Sequence, residues 1–182
     1  ILGAGTVGSG VYKLAGMMSE DFLNKTGARL EIKKVLVRSL NKERPGFDKS
    51  ILTDSWEEIV SDPQIDIVIE LMGGIEPART YVIEALKAGK QVVTANKDLL
   101  AEHGQEIMHA ADETGADLQF EAAVAGAIPI IRPLKQSMAG NHISEVMGIV
   151  NGTTNYILTK MTETGMSYEA ALEEATQLGY AE

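Results

Sequence analysis

Short apolar runs rich in β-branched residues alternate with stretches of helical periodicity over the first 130 residues. This alternation is typical of βαβ units wound around a parallel sheet. The apolar runs predict strands at 30–37, 65–71, 91–94 and 117–124, and the other stretches predict helices at 9–23, 55–60, 77–88 and 99–114. Gly89 and Gly115 directly follow two of these helices, where left-handed caps are common. The pattern therefore predicts a doubly wound, Rossmann-type α/β domain.

A different pattern begins after Pro129. It predicts a helix at 130–138, an apolar strand at 143–150 and two further helices at 154–164 and 168–178. We therefore expect a domain boundary near residue 130. Residues 1–130 would form the α/β domain, and residues 131–182 would be the N-terminal part of an α+β domain.

Composition narrows the class of protein. The 182 residues are 45% hydrophobic, which is enough for a sizeable core. The net charge of −10 argues against non-specific binding to nucleic acid, because basic side chains would have to neutralise phosphates. With no cysteine the chain has no thiol nucleophile or disulfide, which suits a cytoplasmic protein. The apolar runs are broken well short of about 18 residues and no leader is visible, so we expect no membrane association.

Three glycines near the start have the Gly-x-Gly-x-x-Gly spacing of a dinucleotide-binding turn. In such a turn Gly3 allows the sharp bend, Gly5 lets the backbone approach a pyrophosphate, and Gly8 lets helix and strand pack closely. The following helix offers free N–H groups to the phosphates. Because the chain has 18 glycines, an ordinary glycine turn is the alternative. The βα units that follow favour dinucleotide binding.

Both ends of the sequence look cut. A dinucleotide-binding turn needs a strand before it, and Ile1 and Leu2 are all that precede Gly3. The last four residues, 179–182, stop without a closing element. We therefore expect a fragment whose second domain is incomplete.

Arg38 directly follows the predicted strand at 30–37, which would be the second strand of the fold after the one expected before the glycine turn. An NAD-preferring site usually has an acidic residue there for the ribose hydroxyls. An arginine there can instead hold a 2′-phosphate, so the sequence favours NADP over NAD. The alternative is a solvated charge at the end of a strand, since Lys42 and Arg44 are close by.

Other candidate residues also follow predicted strands, at the edge where ligands of open α/β sheets bind. Gly73 and Gly74 either admit a cofactor or form a plain loop. Lys97 begins a helix, where a cation opposes the macrodipole; it could hydrogen-bond a carbonyl or protonate an alkoxide, or it is a surface lysine. Glu121 differs in lying inside the predicted apolar strand at 117–124. It either combines with backbone carbonyls of the following turn to bind a hard cation, or faces solvent or a partner chain.

The stretch 151–155, Asn-Gly-Thr-Thr-Asn, also follows a predicted strand. Its hydroxyls and the N–H groups of the helix start would suit the carboxylate of an amino acid. The alternative is a simple helix cap, for which Thr and Asn are favoured. The doubled threonine and the flanking asparagines exceed what one cap needs.

Five motifs together make the chain closely resemble homoserine dehydrogenases over essentially all 182 residues. They are Gly-Ala-Gly-Thr-Val-Gly at 3–8, Glu-Leu-Met-Gly-Gly at 70–74, Thr-Ala-Asn-Lys at 94–97, Glu-Ala-Ala-Val-Ala-Gly-Ala-Ile-Pro at 121–129 and Asn-Gly-Thr-Thr-Asn-Tyr-Ile-Leu at 151–158. The first motif is generic, whereas the last two together are specific to the family.

The resemblance implies an oxidoreductase that interconverts L-aspartate 4-semialdehyde and L-homoserine with NADPH or NADH, on the route to threonine, methionine and isoleucine. Hydride would pass between nicotinamide C4 and the aldehyde carbon while a lysine handles the alkoxide proton, and Lys97 would be a catalytic residue. The cofactor would contact Gly3, Gly5, Thr6, Val7, Gly8, Arg38, Thr94 and Lys97. Homoserine would be held by Gly152, Thr153, Tyr180 and Glu182, and a monovalent cation, commonly sodium, by Glu121 with carbonyls of Val124, Gly126 and Ile128.

The resemblance also implies a homodimer or homotetramer, with a catalytic and dimerisation role for the second domain. In the family, Gly-Tyr-x-Glu is followed by an aspartate and a lysine that complete the active site, and the lysine is usually regarded as the proton donor. This sequence ends at Glu182. We therefore expect residues 1–182 alone to bind NADP(H) weakly or not at all and to lack full turnover.

Two other functions remain open at this point. A phosphorylating semialdehyde dehydrogenase with the same first domain usually needs a cysteine nucleophile, which the sequence lacks. A nucleotide-sensing protein that uses the fold without catalysis is the other alternative, because fold does not imply function.

Overall fold

The computed structural model describes residues 1–126 and 128–180. Its backbone separates into two compact units, Ile1–Gly126 and Ala127–Glu182. Each unit is described below by itself.

The first unit is built on a parallel sheet of short strands. These are β1 Val35–Leu36, β2 Leu52–Thr53, β3 Ile67–Glu70, β4 Gln91–Thr94 and β5 Leu118–Gln119. β1 pairs with β2, and β4 pairs with both β3 and β5. Leu2 joins the two sets because it forms parallel bridges to Leu36 and to Glu70. The sheet order is therefore β2, β1, the Leu2 segment, β3, β4, β5, which is the doubly wound Rossmann order.

The segment that carries Leu2 takes the place of the first strand. The Leu2 N–H donates to the Ile69 carbonyl at 2.8 Å, and the Leu71 N–H donates to the Leu2 carbonyl at 2.9 Å. On the other side, the Leu36 N–H donates to the Ile1 carbonyl at 2.8 Å. Residues 1 and 2 thus lie in register at the point where the strand order reverses, which is where ligands of such sheets bind.

Five α-helices connect the strands of this unit. They are α1 Thr6–Met17, α2 Ser19–Thr26, α3 Glu57–Val60, α4 Ala78–Lys87 and α5 Lys97–Thr114, with 3₁₀ turns at Lys49–Ile51 and Glu121–Ala123. The predicted caps are confirmed, since Gly89 and Gly115 have φ angles of 75° and 70°. The core buries apolar side chains of the sheet against α4 and α5, including Leu2, Val68, Val82, Val92, Leu99 and Ile107.

The prediction of one helix at 9–23 was wrong. Helix α1 ends at Met17 and α2 begins at Ser19, with Met18 at φ −100° and ψ 14° between them. Gly16 lies just before the break, and glycine and serine are common where helices kink. No residue of α2 is buried, so packing does not hold it in line with α1.

Two predicted strands are much shorter than expected. Of 30–37 only Val35–Leu36 is a strand, and its neighbour β2 is equally short. Of 117–124 only Leu118–Gln119 is a strand, because Gln119 pairs with Val93 and β4 ends one residue later, at Thr94. Beyond that point β5 has no partner in β4, and the chain turns into the 3₁₀ segment that contains Glu121.

The second unit contains a π-helical turn, Pro133–Ser137, and the helices α6 Gly152–Thr164 and α7 Tyr168–Gln177. Ile157, Ala171 and Ala175 form its buried cluster. The predicted strand at 143–150 was wrong: these residues have no regular structure, and Met147 is 82% exposed. A strand exists through pairing, and residues 128–180 offer no second extended segment as a partner.

No helix within the described residues is both long enough and apolar enough to cross a membrane.

Candidate functional site

The glycine turn is shaped by close contacts at two of its three glycines. Gly3 has a φ of +103°, and a Cβ atom there would lie 2.9 Å from the Leu71 carbonyl oxygen. A Cβ atom at Gly8 would lie 2.1 Å from the carbonyl oxygen of Gly3. At Gly5 a Cβ atom would meet nothing within 4 Å. Gly3 and Gly8 are therefore required by the fold, whereas Gly5 faces open space.

That open space lies at the N-terminus of α1. Gly5 is the N-cap residue and supplies no side-chain cap, and the first turn carries no acidic residue. Thr6 and Val7 are exposed in this turn. The N–H groups of this first turn and the positive end of the helix dipole are suited to an anion.

A cleft of about 710 Å³ opens beside the turn. One wall is the turn itself, a second is the loop after β1, and a third follows β3. Its lining includes Gly3, Gly5, Arg38, Lys42, Phe47, Asp54, Leu71, Met72 and Tyr81. The structure thus brings together Gly3, Gly5 and Arg38, which the sequence had proposed as cofactor contacts.

The loop after β1 carries the positive charge of the cleft. Arg44 fixes the shape of this loop, because its Nη1 donates to the carbonyls of Ser39 and Lys42 at 2.8 Å each. The Arg38 side chain is exposed and makes no hydrogen bond or ion pair to a described residue. Arg38 is therefore available to an anion at the mouth of the cleft.

Two acidic residues, Glu43 and Asp54, also line the cleft. Asp54 directly follows β2. An exposed carboxylate there is a possible acceptor for a ribose hydroxyl, as in NAD-binding sites. The sequence reasoning missed it because β2 is two residues long and was not among the predicted strands.

Thr94 and Lys97 are not part of the lining of this cleft. Thr94 is fully buried, and its hydroxyl donates to Glu70 Oε2 at 2.6 Å. Lys97 is the first residue of α5, as predicted, and its side chain is exposed. Asn96 caps that helix, since its side-chain oxygen accepts from the Leu99 N–H at 3.1 Å.

The segment around Glu121 differs from the prediction. Glu121 lies half-buried in a 3₁₀ turn and not inside an apolar strand. Ala125 and Gly126 follow with φ angles of 55° and 61°. A non-glycine residue in this left-handed region is strained, and such residues cluster at functional sites. Val124 and Gly126 belong to the first unit and Ile128 to the second.

A second cavity, of about 520 Å³, lies in the second unit at the start of α6. It is lined by Gly152, Thr153, Asn155, Tyr156, Thr159 and Tyr180. Three of the four predicted substrate residues, Gly152, Thr153 and Tyr180, therefore meet there. The Thr153 hydroxyl donates to the Tyr180 carbonyl oxygen. The fourth, Glu182, lies outside the described residues.

The helix cap accounts for one residue of this motif. Asn151 is the N-cap of α6, and its side chain accepts from the Thr154 N–H at 2.7 Å. Asn155 is exposed on the cavity side. The cap alone therefore leaves Thr153 and Asn155 unexplained.

Sequence reasoning missed a charged cluster behind this cavity. Glu174 on α7 accepts from the Tyr156 hydroxyl at 2.5 Å and pairs with Lys160 at 2.7 Å. Lys160 and then Tyr156 lower the pKa of Glu174, and Glu174 in turn raises the pKa of both partners. Glu174 and Lys160 fix the orientation of the Tyr156 ring, which meets the Tyr180 ring edge-on at 5.1 Å.

Both parts of the chain match family models. Residues 3–121 match the homoserine dehydrogenase NAD-binding domain, and residues 129–182 match the homoserine dehydrogenase domain.

Curated relatives match along the whole chain. A homoserine dehydrogenase of Bacillus subtilis is 47% identical over all of this chain and 42% of its own length. One from Mycobacterium tuberculosis is 50% identical over all of this chain and 41% of its own length. The chain thus spans less than half the length of these relatives.

Solved structures have the same fold. The crystal structure of a homoserine dehydrogenase from Thiobacillus denitrificans superposes with a TM-score of 0.85 at 43% identity, over all of this chain and 42% of that one. A hyperthermophilic archaeal homoserine dehydrogenase in complex with NADPH gives a TM-score of 0.77 at 31% identity, over 98% of this chain and 60% of that one. These matches, together with the glycine turn, show that the chain belongs to the homoserine dehydrogenase family.

Proposed function

We propose that the native-length protein interconverts L-homoserine and L-aspartate 4-semialdehyde, with NADP as the preferred cofactor and NAD as the alternative. The observation that carries the proposal is the cleft where an uncapped helix N-terminus, the open Gly5 and the free Arg38 meet. A dinucleotide needs these three features: N–H groups for its pyrophosphate, space for close approach, and a polar group for its ribose. The product of the reaction, homoserine, leads towards threonine, methionine and isoleucine.

The cofactor would lie along the first unit. Gly3, Gly5, Thr6, Val7 and Gly8 would hold the pyrophosphate, and Arg38 would bind the 2′-phosphate of NADP. The structure of an archaeal relative has been solved in complex with NADPH, which supports this choice. Asp54 in the same cleft is the feature that favours NAD instead.

The reaction would take place where Lys97 begins α5. The bound nicotinamide would supply or accept the hydride. The Lys97 ammonium is a hydrogen-bond donor that can hold the carbonyl oxygen of the aldehyde and stabilise the alkoxide that develops on it. Thr94 would support this region from the protein interior, since it is fully buried at the end of β4.

The amino acid would bind at the second unit. The start of α6 presents Gly152 and Thr153 to the cavity, where helix N–H groups and hydroxyls suit a carboxylate. Tyr180 would close the cavity, and the carboxylate of Glu182 would meet the substrate ammonium.

A monovalent cation, which we propose to be sodium, would bind in the turn after β5, where its ligands would be oxygen atoms. The left-handed pair Ala125 and Gly126 fits this role, because it curls the backbone as a ring of carbonyl ligands requires. Glu121 with the carbonyls of Val124, Gly126 and Ile128 would hold the ion.

The assembly we propose is a homodimer or homotetramer in the cytoplasm. Residues 143–150 support it, because Val146, Met147, Ile149 and Val150 are each more than half exposed. Apolar side chains in such a run are typical of a surface that another chain covers.

The test is homoserine oxidation by the native-length protein, followed by the absorbance of the reduced cofactor. Lys97→Ala should lower kcat by about 10²–10³-fold, as expected when a hydrogen-bond donor to the developing alkoxide is lost. Lys87→Ala is the matched control: Lys87 ends α4, at the opposite edge of the sheet, and its loss should leave kcat unchanged. Cofactor binding without turnover would favour a nucleotide sensor and contradict the proposal.

A further inference from the structure

Glu70 is a buried carboxylate that the catalytic scheme above does not use. It ends β3 and is 0% exposed. Its Oε1 accepts from the Met72 N–H at 2.8 Å and from the Gly73 N–H at 3.4 Å, and its Oε2 accepts from the Thr94 hydroxyl at 2.6 Å. No lysine or arginine of the described residues pairs with it. A buried charge is costly, so hydrogen bonds compensate for the loss of water.

These hydrogen bonds continue to the start of α5. The Thr94 hydroxyl, which donates to Glu70, also accepts from the Asn96 N–H at 3.0 Å. Asn96 in turn donates from Nδ2 to the Gly74 carbonyl at 2.7 Å and caps α5. Glu70, Thr94 and Asn96 thus form a closed network that links the loop at 72–74 to the residue directly before Lys97.

The two linked segments follow adjacent strands. β3 and β4 pair in register, with Glu70 opposite Thr94, so both segments leave the same edge of the sheet. Met72 lines the cofactor cleft and Lys97 does not. A change in this network would therefore move the wall of the cleft and the start of α5 relative to each other.

We infer that Glu70 is a positioning residue that acts through Thr94 and Asn96 to fix Lys97 relative to the cofactor cleft. The inference rests on the proposed function, because that function assigns Lys97 its role in the reaction. The main-chain donors at Met72 and Gly73 require an acceptor, and the Thr94 hydroxyl requires a second one. A carboxylate offers acceptors on both oxygens, whereas an amide offers one. Glutamate at this position therefore satisfies both segments at once.

The test uses Glu70→Gln in the native-length protein, alone and combined with Lys97→Ala. The amide keeps the volume of the side chain, but one of its two ends is a donor, so either the Met72 and Gly73 N–H groups or the Thr94 hydroxyl proton loses its acceptor. We expect kcat to fall by about 10- to 100-fold, which is the effect expected when a catalytic group is displaced by about 1 Å or less. In the Lys97→Ala background the same substitution should change kcat by less than about twofold, because the group it positions is already gone.

Ile107→Val is the control for a general loss of stability. Ile107 is buried in α5 away from the network, so this variant should lose stability and keep kcat. Hydrogen exchange adds a readout that does not depend on turnover. The amides of Met72 and Asn96 should exchange faster in Glu70→Gln and not in Ile107→Val.

Asn96→Ser replaces Glu70→Gln if the latter does not fold. Serine retains the N-cap of α5 and loses the Nδ2 donor to Gly74, and it should give the same dependence on Lys97. Equal losses of kcat with and without Lys97 would overturn the inference while leaving the proposed function intact. Absence of homoserine turnover in the unsubstituted protein would overturn the proposed function itself.

Discussion

A Cβ atom at Gly8 would lie 2.1 Å from the carbonyl oxygen of Gly3, closer than any side chain tolerates. Gly8 sits in the first helical turn after the Leu2 segment and is buried. The last glycine of the motif therefore sets how closely α1 approaches the sheet. The role of Gly5 is different, because nothing in the protein occupies the space beside it.

Gly8→Ala should destabilise the first unit by about 1–3 kcal/mol, because the methyl group forces the helix away from the Gly3 carbonyl. Thermal or denaturant unfolding would measure the loss. Gly10→Ala is the matched control, because a Cβ atom there meets nothing within 4 Å. Alanine at this position in the helix should increase the free energy of unfolding by at most about 1 kcal/mol. Equal stability of the two variants would contradict the close contact between a Cβ atom at residue 8 and the Gly3 carbonyl oxygen.

Gly5→Ala should leave stability nearly unchanged and weaken NADPH binding at least about tenfold. Its methyl group would project into the space that the pyrophosphate needs for close approach. Titration of the native-length protein with NADPH, followed by cofactor fluorescence, measures the dissociation constant. Gly10→Ala should bind like the unsubstituted protein. A Gly5→Ala variant with unchanged affinity would place the pyrophosphate elsewhere.

Arg38→Ala should weaken NADPH binding by about 10-fold or more and NADH binding much less, because NADPH alone carries the 2′-phosphate. The size follows from the loss of a charge-assisted hydrogen bond, about 1.5–3 kcal/mol. Arg79→Ala removes the same charge from an ion pair with Glu106 that does not line the cleft, so it serves as the control. Equal losses for both cofactors in Arg38→Ala would show that Asp54 or the loop backbone selects the cofactor.

The sequence predicted the Rossmann fold because the alternation of apolar and helical segments depends on local periodicity. The glycine turn and the helix caps were also predictable, since each depends on backbone geometry at one or two residues. Strand lengths were not predictable, because β5 ends where β4 turns into α5 and not where its own apolar run ends. The strand expected at 143–150 failed for a similar reason, because pairing requires a second segment.

The sequence identified Gly3, Gly5 and Arg38 as candidates, and the structure places them at one cleft because they follow neighbouring strands at the same edge of the sheet. The network around Glu70 was not predictable, because it joins residues that are 24 positions apart along the chain. Its members look ordinary by themselves: one acid at a strand end, one threonine at the next, and one helix cap. The register of β3 against β4 places them together.

Acid should weaken the packing of α6 against α7. The pKa of Glu174 lies below its ordinary value of 4.5, first because of Lys160 and then because of the Tyr156 hydroxyl. A carboxylate with a lowered pKa contributes stability that is fully present above the ordinary value and is lost as the pH falls through the folded-state value. Glu174→Gln should therefore flatten the acid limb of a stability profile measured by thermal unfolding.

The comparison must be a difference between variants, because Glu58, Glu76 and Glu106 also have lowered pKa values and contribute to the same limb. Glu173→Gln is the matched control, since Glu173 is an exposed neighbour on α7 without a cationic partner among the described residues. Its acid limb should follow that of the unsubstituted protein. If Glu174→Gln follows it as well, the contacts of Glu174 with Lys160 and Tyr156 do not stabilise the helix pair.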